Sequence, residues 1–284
     1  MKKIYLSIIL ITAISFCGEQ AYAFALLSWP LLPSNEPQSK DVPIIMYHLI
    51  TKDPNQLGKH AITPDEMEAD LKYLKENNYD TVFMADLIRF VAGRQSLPEK
   101  PIVLTFDDGR HSDYDYLLPL LEKYNMKAVL SIVGEFTDEN TKANYDMKPH
   151  LTWEQIENMQ KSKCVEFQSH SYHFHDGIGC GRRNGESMES YQARLKADLY
   201  KLQETLTKRI GRAPTTFTYP LGVISKGSEE VLKELNIKAS LSCWEGMNTI
   251  TTGDSDGLFK LKRYNRRSGR PISSILGEFE KKNK

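Results

Sequence analysis

Along this 284-residue chain, short apolar runs rich in β-branched residues alternate with longer segments whose apolar positions recur every three or four residues. The short runs predict strands at residues 44–46, 81–83, 102–106, 128–133, 165–168, 215–219, 239–243 and 259–261. The longer segments predict helices. Thr63-Pro-Asp-Glu66 reads as a capping box with proline at the first helical position, and Met67, Leu71 and Leu74 then mark one apolar face. Thr152-Trp-Glu-Gln155 opens another helix, and Tyr191, Leu195, Leu199, Leu202 and Leu206 form the longest stripe, which is core. Strand and helix in alternation predict a parallel sheet, and seven or eight repeats predict that it curls: an α/β fold, a distorted (β/α) barrel of about seven parallel strands.

The amino terminus reads differently. Lys2 and Lys3 precede an apolar run to Phe16, and Ala21-Tyr-Ala23 places small residues for cleavage, so residues 1–23 are expected to be a signal peptide. A second apolar stretch from Phe24 to Leu32 leaves an uncleaved anchor open. Residues 24–41, with prolines and the polar stretch Ser34-Asn-Glu-Pro-Gln-Ser-Lys40, are expected to be a tether, and 42–284 one domain. Bulky Phe16 before Cys17 argues against a lipid anchor there. Without Cys17, Cys164, Cys180 and Cys243 allow one disulfide at most. The whole chain has 37 basic and 37 acidic residues, and removing Lys2, Lys3 and Glu19 leaves 35 against 36, so charge offers no footprint for nucleic acid. The basic clusters at residues 260–270 and 281–284 are read as solvated faces. No stable protein partner is indicated.

Two places carry candidate chemistry. The run Pro101-Ile-Val-Leu-Thr-Phe-Asp-Asp-Gly109 delivers adjacent carboxylates, Asp107 and Asp108, from an apolar strand into a glycine turn. Neighbouring strand residues point to opposite faces, so two acids that share a site need the chain to leave the pleat, which Gly109 allows. One acid can then hold a metal while the other handles protons; taken alone, a solvated Asp-Asp-Gly turn is the plainer reading. The second place is Val165-Glu-Phe-Gln-Ser-His-Ser-Tyr-His-Phe-His175, a strand running into three histidines. An Asp-His-His set with water in the remaining position is the pattern of an open, catalytic zinc-type site. The five-residue separation of His170 and His175 fits neither a helix face nor a strand face, so the segment must bend.

Thr105-Phe-Asp-Asp-Gly109, His170-Ser-Tyr-His-Phe-His175 and Thr218-Tyr-Pro-Leu-Gly222 together resemble the first three motifs of the NodB-type polysaccharide deacetylases, carbohydrate esterase family four. With Pro43-Ile-Ile-Met-Tyr-His48 upstream, the chain is most similar to the branch that includes the poly-N-acetylglucosamine deacetylases of the PgaB and IcaB kind. The resemblance runs from about Val42 to about Arg267. It implies that Asp107 is the general base and that Asp108, His170 and His175 hold a divalent metal, zinc first, with cobalt, nickel or iron as alternatives. It also implies an oxyanion contact from the Tyr219 N–H and a sugar-facing wall at Tyr219 and Pro220. His173 is left as a second-layer or surface residue, and Ser171 as a partner that orients a ligand or holds the loop.

The chain departs from the family in two respects. No histidine follows His175, so the proton for the leaving amine must come from elsewhere: the metal-bound water, Asp107 once protonated, or His48. Thr218 replaces the arginine of the third motif, which leaves Asp107 without its usual tether. Arg263 falls near the late motif and is a candidate to hold a carboxylate or the sugar. The glycine-rich run from Asp176 to Gly185 is expected either to overhang the site or to serve only as a connector. The function implied is removal of acetyl groups from N-acetylglucosamine units of an extracellular or cell-wall polysaccharide. A biofilm poly-N-acetylglucosamine is the first candidate and peptidoglycan the second. A noncatalytic glycan-binding protein, or an amidohydrolase acting on small acetylated compounds, stands as the rival.

Overall fold

The structure, a computed structural model, describes residues 36–143 and 149–280. The expected signal peptide, most of the tether and the basic end at 281–284 lie outside the described residues. No helix among those described is long and apolar enough to cross a membrane.

The strands are β1 (Ser39–Val42), β2 (Ile44–Tyr47), β3 (Leu49–Ile50), β4 (Ala61–Ile62), β5 (Asp80–Thr81), β6 (Pro101–Asp108), β7 (Ala128–Ile132), β8 (Val165–Ser169), β9 (Thr216–Thr218), β10 (Ala239–Leu241), β11 (Asn248–Thr251) and β12 (Tyr264–Asn265). The main sheet is parallel throughout, in the order β10-β9-β8-β7-β6-β2-β12, with β5 paired to the start of β6. The expected distorted barrel is this curled seven-strand sheet. Its two edges approach each other through a single segment: Leu261 bridges to Leu241 of β10, and Tyr264 pairs with Ile45 of β2. Residues 261–265 thus span the gap, and whatever their side chains carry is brought into the barrel wall.

The strand expected at 259–261 begins five residues too early: β12 starts at Tyr264, and only Leu261 of the expected run makes a bridge. Lys260 has φ +61°, outside the β region, so extended pairing resumes only after it. The tether also ends sooner than expected: Ser39–Asp41 belong to β1, which pairs antiparallel with β11. Their side chains are mostly exposed and polar, so the strand lacks the apolar alternation that would reveal it.

The strand pleat sorts the core. Ile102, Leu104 and Phe106 of β6 point outward to the helices, joining Met67, Leu71 and Leu74 of α1 (Pro64–Glu76). Val103 points inward, where it meets Ile44, Val129 and Leu241 beneath Met84, Leu87 and Phe90 of α2 (Met84–Val91). Each such side chain, fully buried, is worth about 1.5–3 kcal/mol of apolar transfer. The outer layer continues through α3 (Leu118–Tyr124), α4 (Gly134–Lys142), α5 (Trp153–Met159), α6 (Met188–Ile210), α7 (Ser228–Glu234) and α8 (Ile272–Glu280). Both capping boxes form: Thr63 Oγ1 accepts from Glu66 N while Glu66 Oε2 accepts from Thr63 N, each at 3.0 Å, and Thr152 with Gln155 repeats the motif. The stripe from Tyr191 to Leu206 is buried along α6.

Candidate active site and metal centre

The inward face of β6 runs Val103, Thr105, Asp107, so the pleat alone aims Asp107 into the barrel. Asp108 should then point outward. It does not, because the chain turns at Asp108 itself, with φ +75°, and Gly109 follows at +65°. The turn is therefore built one residue earlier than Gly109 alone suggested. Glycine is still required next, since a Cβ at Gly109 would sit 2.8 Å from Ile132 Cγ2.

His170 continues straight from β8, and its amide donates to Ile132 O. The chain then bends at Ser171, φ +72°, whose hydroxyl accepts from Phe174 N at 3.0 Å and so holds the loop that returns His175 to the site. Asp108, His170 and His175 can each offer one ligand atom, all within 4.8 Å of one another. Asp108 Oδ1 lies 2.8 Å from His175 Nε2 and 3.6 Å from His170 Nε2. It is buried and accepts no hydrogen bond, an electron-rich atom aimed at the space the two imidazoles share. His170 Nδ1 donates to Thr218 O at 2.9 Å, which leaves the Nε2 lone pair free. The donor set fits one divalent cation. Phe136 packs edge-on against His175 at 5.5 Å and stacks on His150 at 4.4 Å, so an aromatic pair absent from the sequence reading supports the third donor.

Asp107 is held by Arg263. Nη1 and Nη2 donate to Oδ1 and Oδ2 at 2.8 Å each, while Nε donates to Ser242 O and Nη1 also reaches Thr105 Oγ1 at 3.1 Å. Burial pushes the Asp107 carboxyl up, but Arg263 and the neighbouring histidines more than offset it, and the net shift is downward. Asp108 lies well below the usual carboxylate range: burial raises it, and His175, His170 and Arg110 outweigh burial. Arg110 grips the other oxygen, Nη2 to Oδ2 at 2.7 Å. His48 Nε2 stands 3.9 Å from Asp107 Oδ2, and burial is the main cause that holds its imidazole down at about 4. His48, Asp107, Asp108, Arg110, His170 and His175 all line a cavity of about 1030 Å³.

The sequence matches the polysaccharide deacetylase family over residues 94–240. The chain belongs to the polysaccharide deacetylase family. The Escherichia coli (strain K12) poly-beta-1,6-N-acetyl-D-glucosamine N-deacetylase is 26% identical over 219 residues, which cover 69% of this chain and 33% of that protein. This chain therefore spans about a third of that relative's length. The Staphylococcus aureus (strain MSSA476) protein of the same name is 23% identical over 201 residues, covering 70% of this chain and 67% of that one. The Streptococcus pyogenes deacetylase PplD, solved in complex with acetate, shares the fold with a TM-score of 0.70 at 21% identity, over 84% of this chain and 98% of that chain.

Against the family pattern, three expectations change. Arg263 does not face the sugar: it is fully buried, and its guanidinium is spent on Asp107, Thr105 and Ser242. It supplies the tether that Thr218 cannot, from 156 residues away in sequence. The Tyr219 N–H is not free for an oxyanion, because it donates to Leu241 O at 3.1 Å across the sheet. Tyr219 lines the cavity, but its ring is not exposed as a sugar wall. It is buried against Phe217, its hydroxyl pairs with Ser228, and Pro220 is buried beside it; the exposed member of that turn is Leu221, held at φ +57°. The glycine-rich run packs under the same turn, with Cys180 Sγ donating to Val223 O and no room for a Cβ at Gly179 against Pro220 O. It buttresses the site and lines none of the cavity described above. His173 lies at the surface against Glu135. Cys164, Cys180 and Cys243 are free.

Proposed function

We propose that this protein is a metal-dependent N-deacetylase, exported from the cytoplasm, that releases acetate from N-acetylglucosamine units of an extracellular polysaccharide. Poly-N-acetylglucosamine is the first candidate substrate. The observation that carries the reading is the convergence of Asp108, His170 and His175 on one point, with an Arg-held carboxylate, Asp107, beside it. Export rests on the basic and apolar leader pattern, and the substrate on the names of the relatives. A bound divalent ion, zinc first on ligand type, would polarise the acetyl carbonyl and make bound water acidic near neutral pH.

The protein's own groups do the rest. Asp107 is ionised at neutral pH and takes the proton of the attacking water; its bidentate pairing with Arg263 keeps one orientation and keeps the charge. His48, neutral because burial depresses its pKa to about 4, stands 3.9 Å from Asp107 and can relay that proton to the departing amine. This assigns to the first barrel strand's end the work that a late histidine would do.

Acetate release from a panel of purified glycans, with and without chelator, for the wild type and Asp107→Asn, tests the proposal. Release that stops with either treatment is expected. Release that ignores both would sink the mechanism, and glycan binding without release from any polymer would support the noncatalytic alternative.

A further inference from the structure

The cavity carries a charge excess that the chemistry above does not use. Asp107, Asp108 and Glu245 line it, and each has a basic partner: Arg263, Arg110 and Arg270, the last with Nη1 2.7 Å from Glu245 Oε1. Lys59 and Arg267 also line it and are left over. Both are exposed, and neither side chain has a hydrogen bond or an ion pair within contact distance among the described residues; Arg267 acts on Glu245 only at longer range, where Arg270 is the direct partner. They are not independent surface charges. Ser268 N donates to Gly58 O at 3.2 Å and Asn265 Nδ2 to Lys59 O at 2.9 Å, which binds the two loops into one rim. Arg267 belongs to the basic stretch read from sequence as a solvated face; the fold turns it toward the cavity.

A volume of about 1030 Å³ is at the upper end for a ligand pocket and exceeds what one sugar ring needs, which leaves room for a unit next to the reacting one. We propose that Lys59 and Arg267 form a charge-reading subsite for that neighbouring unit, favouring an anionic substituent, accepting neutral N-acetylglucosamine and disfavouring a glucosamine ammonium. The inference rests on the deacetylase reading and names its specificity. Two cations on the rim of a cleft, neither in contact with an acid, act within a Debye length on a bound charge, enough to change affinity several-fold. Because each turnover creates an ammonium, the same rim works against a second attack beside the first and spaces the free amines along the polymer.

The test uses matched oligosaccharides in which the neighbouring unit carries a carboxylate, a phosphate, an N-acetyl group or a free amine, with kcat and KM read separately at low and high salt. The expected result is a KM that rises from anion to neutral to ammonium by about five-fold per step at low salt, compresses at high salt and flattens in the K59Q/R267Q double variant. The carboxylate and phosphate arms tell which anion is read. Equal KM values, a reversed ranking, or a ranking that survives in K59Q/R267Q would overturn the proposal. Calorimetric binding of the same four compounds to the Asp107→Asn protein separates the two readings. A ranking in binding without acetate release from the wild type counts against the deacetylase and supports the subsite, and turnover without ranking does the reverse.

Discussion

Two buried arginine–aspartate pairs sit three residues apart on the segment that closes the barrel, and they do different work. Arg263 holds Asp107 at 2.8 Å through both terminal nitrogens. Arg266 holds Asp70 of α1, Nε to Oδ2 at 2.6 Å and Nη2 to Oδ1 at 3.3 Å. Asp70 accepts two further hydrogen bonds, from Tyr47 Oη and Ile272 N, both at 3.1 Å, so it knits β2, α1, α8 and the closing segment together and has no face left over. Asp107 lines the cavity, with His48 and His170 near it. The electrostatic outcomes diverge. Burial outweighs Arg266 at Asp70 and its pKa rises, whereas the charges around Asp107 outweigh burial and its pKa falls. A buried ion pair is weak evidence of stability by itself. What sets the Asp107 pair apart is a side left open to the cavity.

The contrast breaks most sharply at the acids. Asp107→Asn is expected to lower turnover by about 10²–10⁴, the range for loss of a general base, while Asp70→Asn leaves the turnover of folded protein within about tenfold and costs about 3 kcal/mol of stability. Steady-state kinetics beside denaturant unfolding checks both, and an equal turnover loss at Asp70 would erase the distinction. Next in size is exchange of the guanidinium. Arg263→Lys loses the two-pronged grip, and turnover should fall about 10–100-fold. Arg263 keeps the Asp107 pKa low, so the acid limb of the kcat/KM profile should move to higher pH in that variant. Arg266→Lys should instead lower Tm by a few degrees, about 2–4 °C per kcal/mol lost, with an unmoved profile.

The smallest effect comes from an acid with no guanidinium at all. Glu166 on β8 accepts from Gln168 Nε2 at 2.6 Å, from Ala85 N at 3.4 Å and from the Met84 amide, yet burial outweighs all three and pushes its pKa up to about 7 from 4.5. The folded value lies above the unfolded one, so the folded state binds the extra proton. Its stabilisation is present below about pH 4.5 and is lost as pH rises through about 7. Glu166→Gln should flatten that decline, gaining about 1–2 kcal/mol at pH 8 relative to pH 5 by thermal or denaturant unfolding. An unchanged pH dependence would mean that the carboxyl is not the group responsible.

How far the site can be read from the chain depends on sequence distance. Asp107 and Asp108 at one strand end, and His170 and His175 at another, were legible because each pair lies within a few residues and the strand pattern aims both ends the same way. Arg263 was recognisable as a carboxylate partner but not as the Asp107 tether, since only the closing segment's path from Leu241 to Ile45 brings it to the barrel interior. The engaged Tyr219 amide was invisible for the same reason: its acceptor, Leu241, belongs to another strand.

Local patterning determined the alternation of strands and capped helices, the parallel curled sheet and the four residues of the acid–histidine cluster, because periodicity, capping and short motifs are properties of neighbours in the chain. Tertiary structure alone decided which arginine serves Asp107, which face of the Tyr219 turn meets solvent, and that Lys59 and Arg267 share one rim. Those are pairings between segments up to about two hundred residues apart, and their partners are chosen by sheet order and barrel closure, which no local pattern encodes.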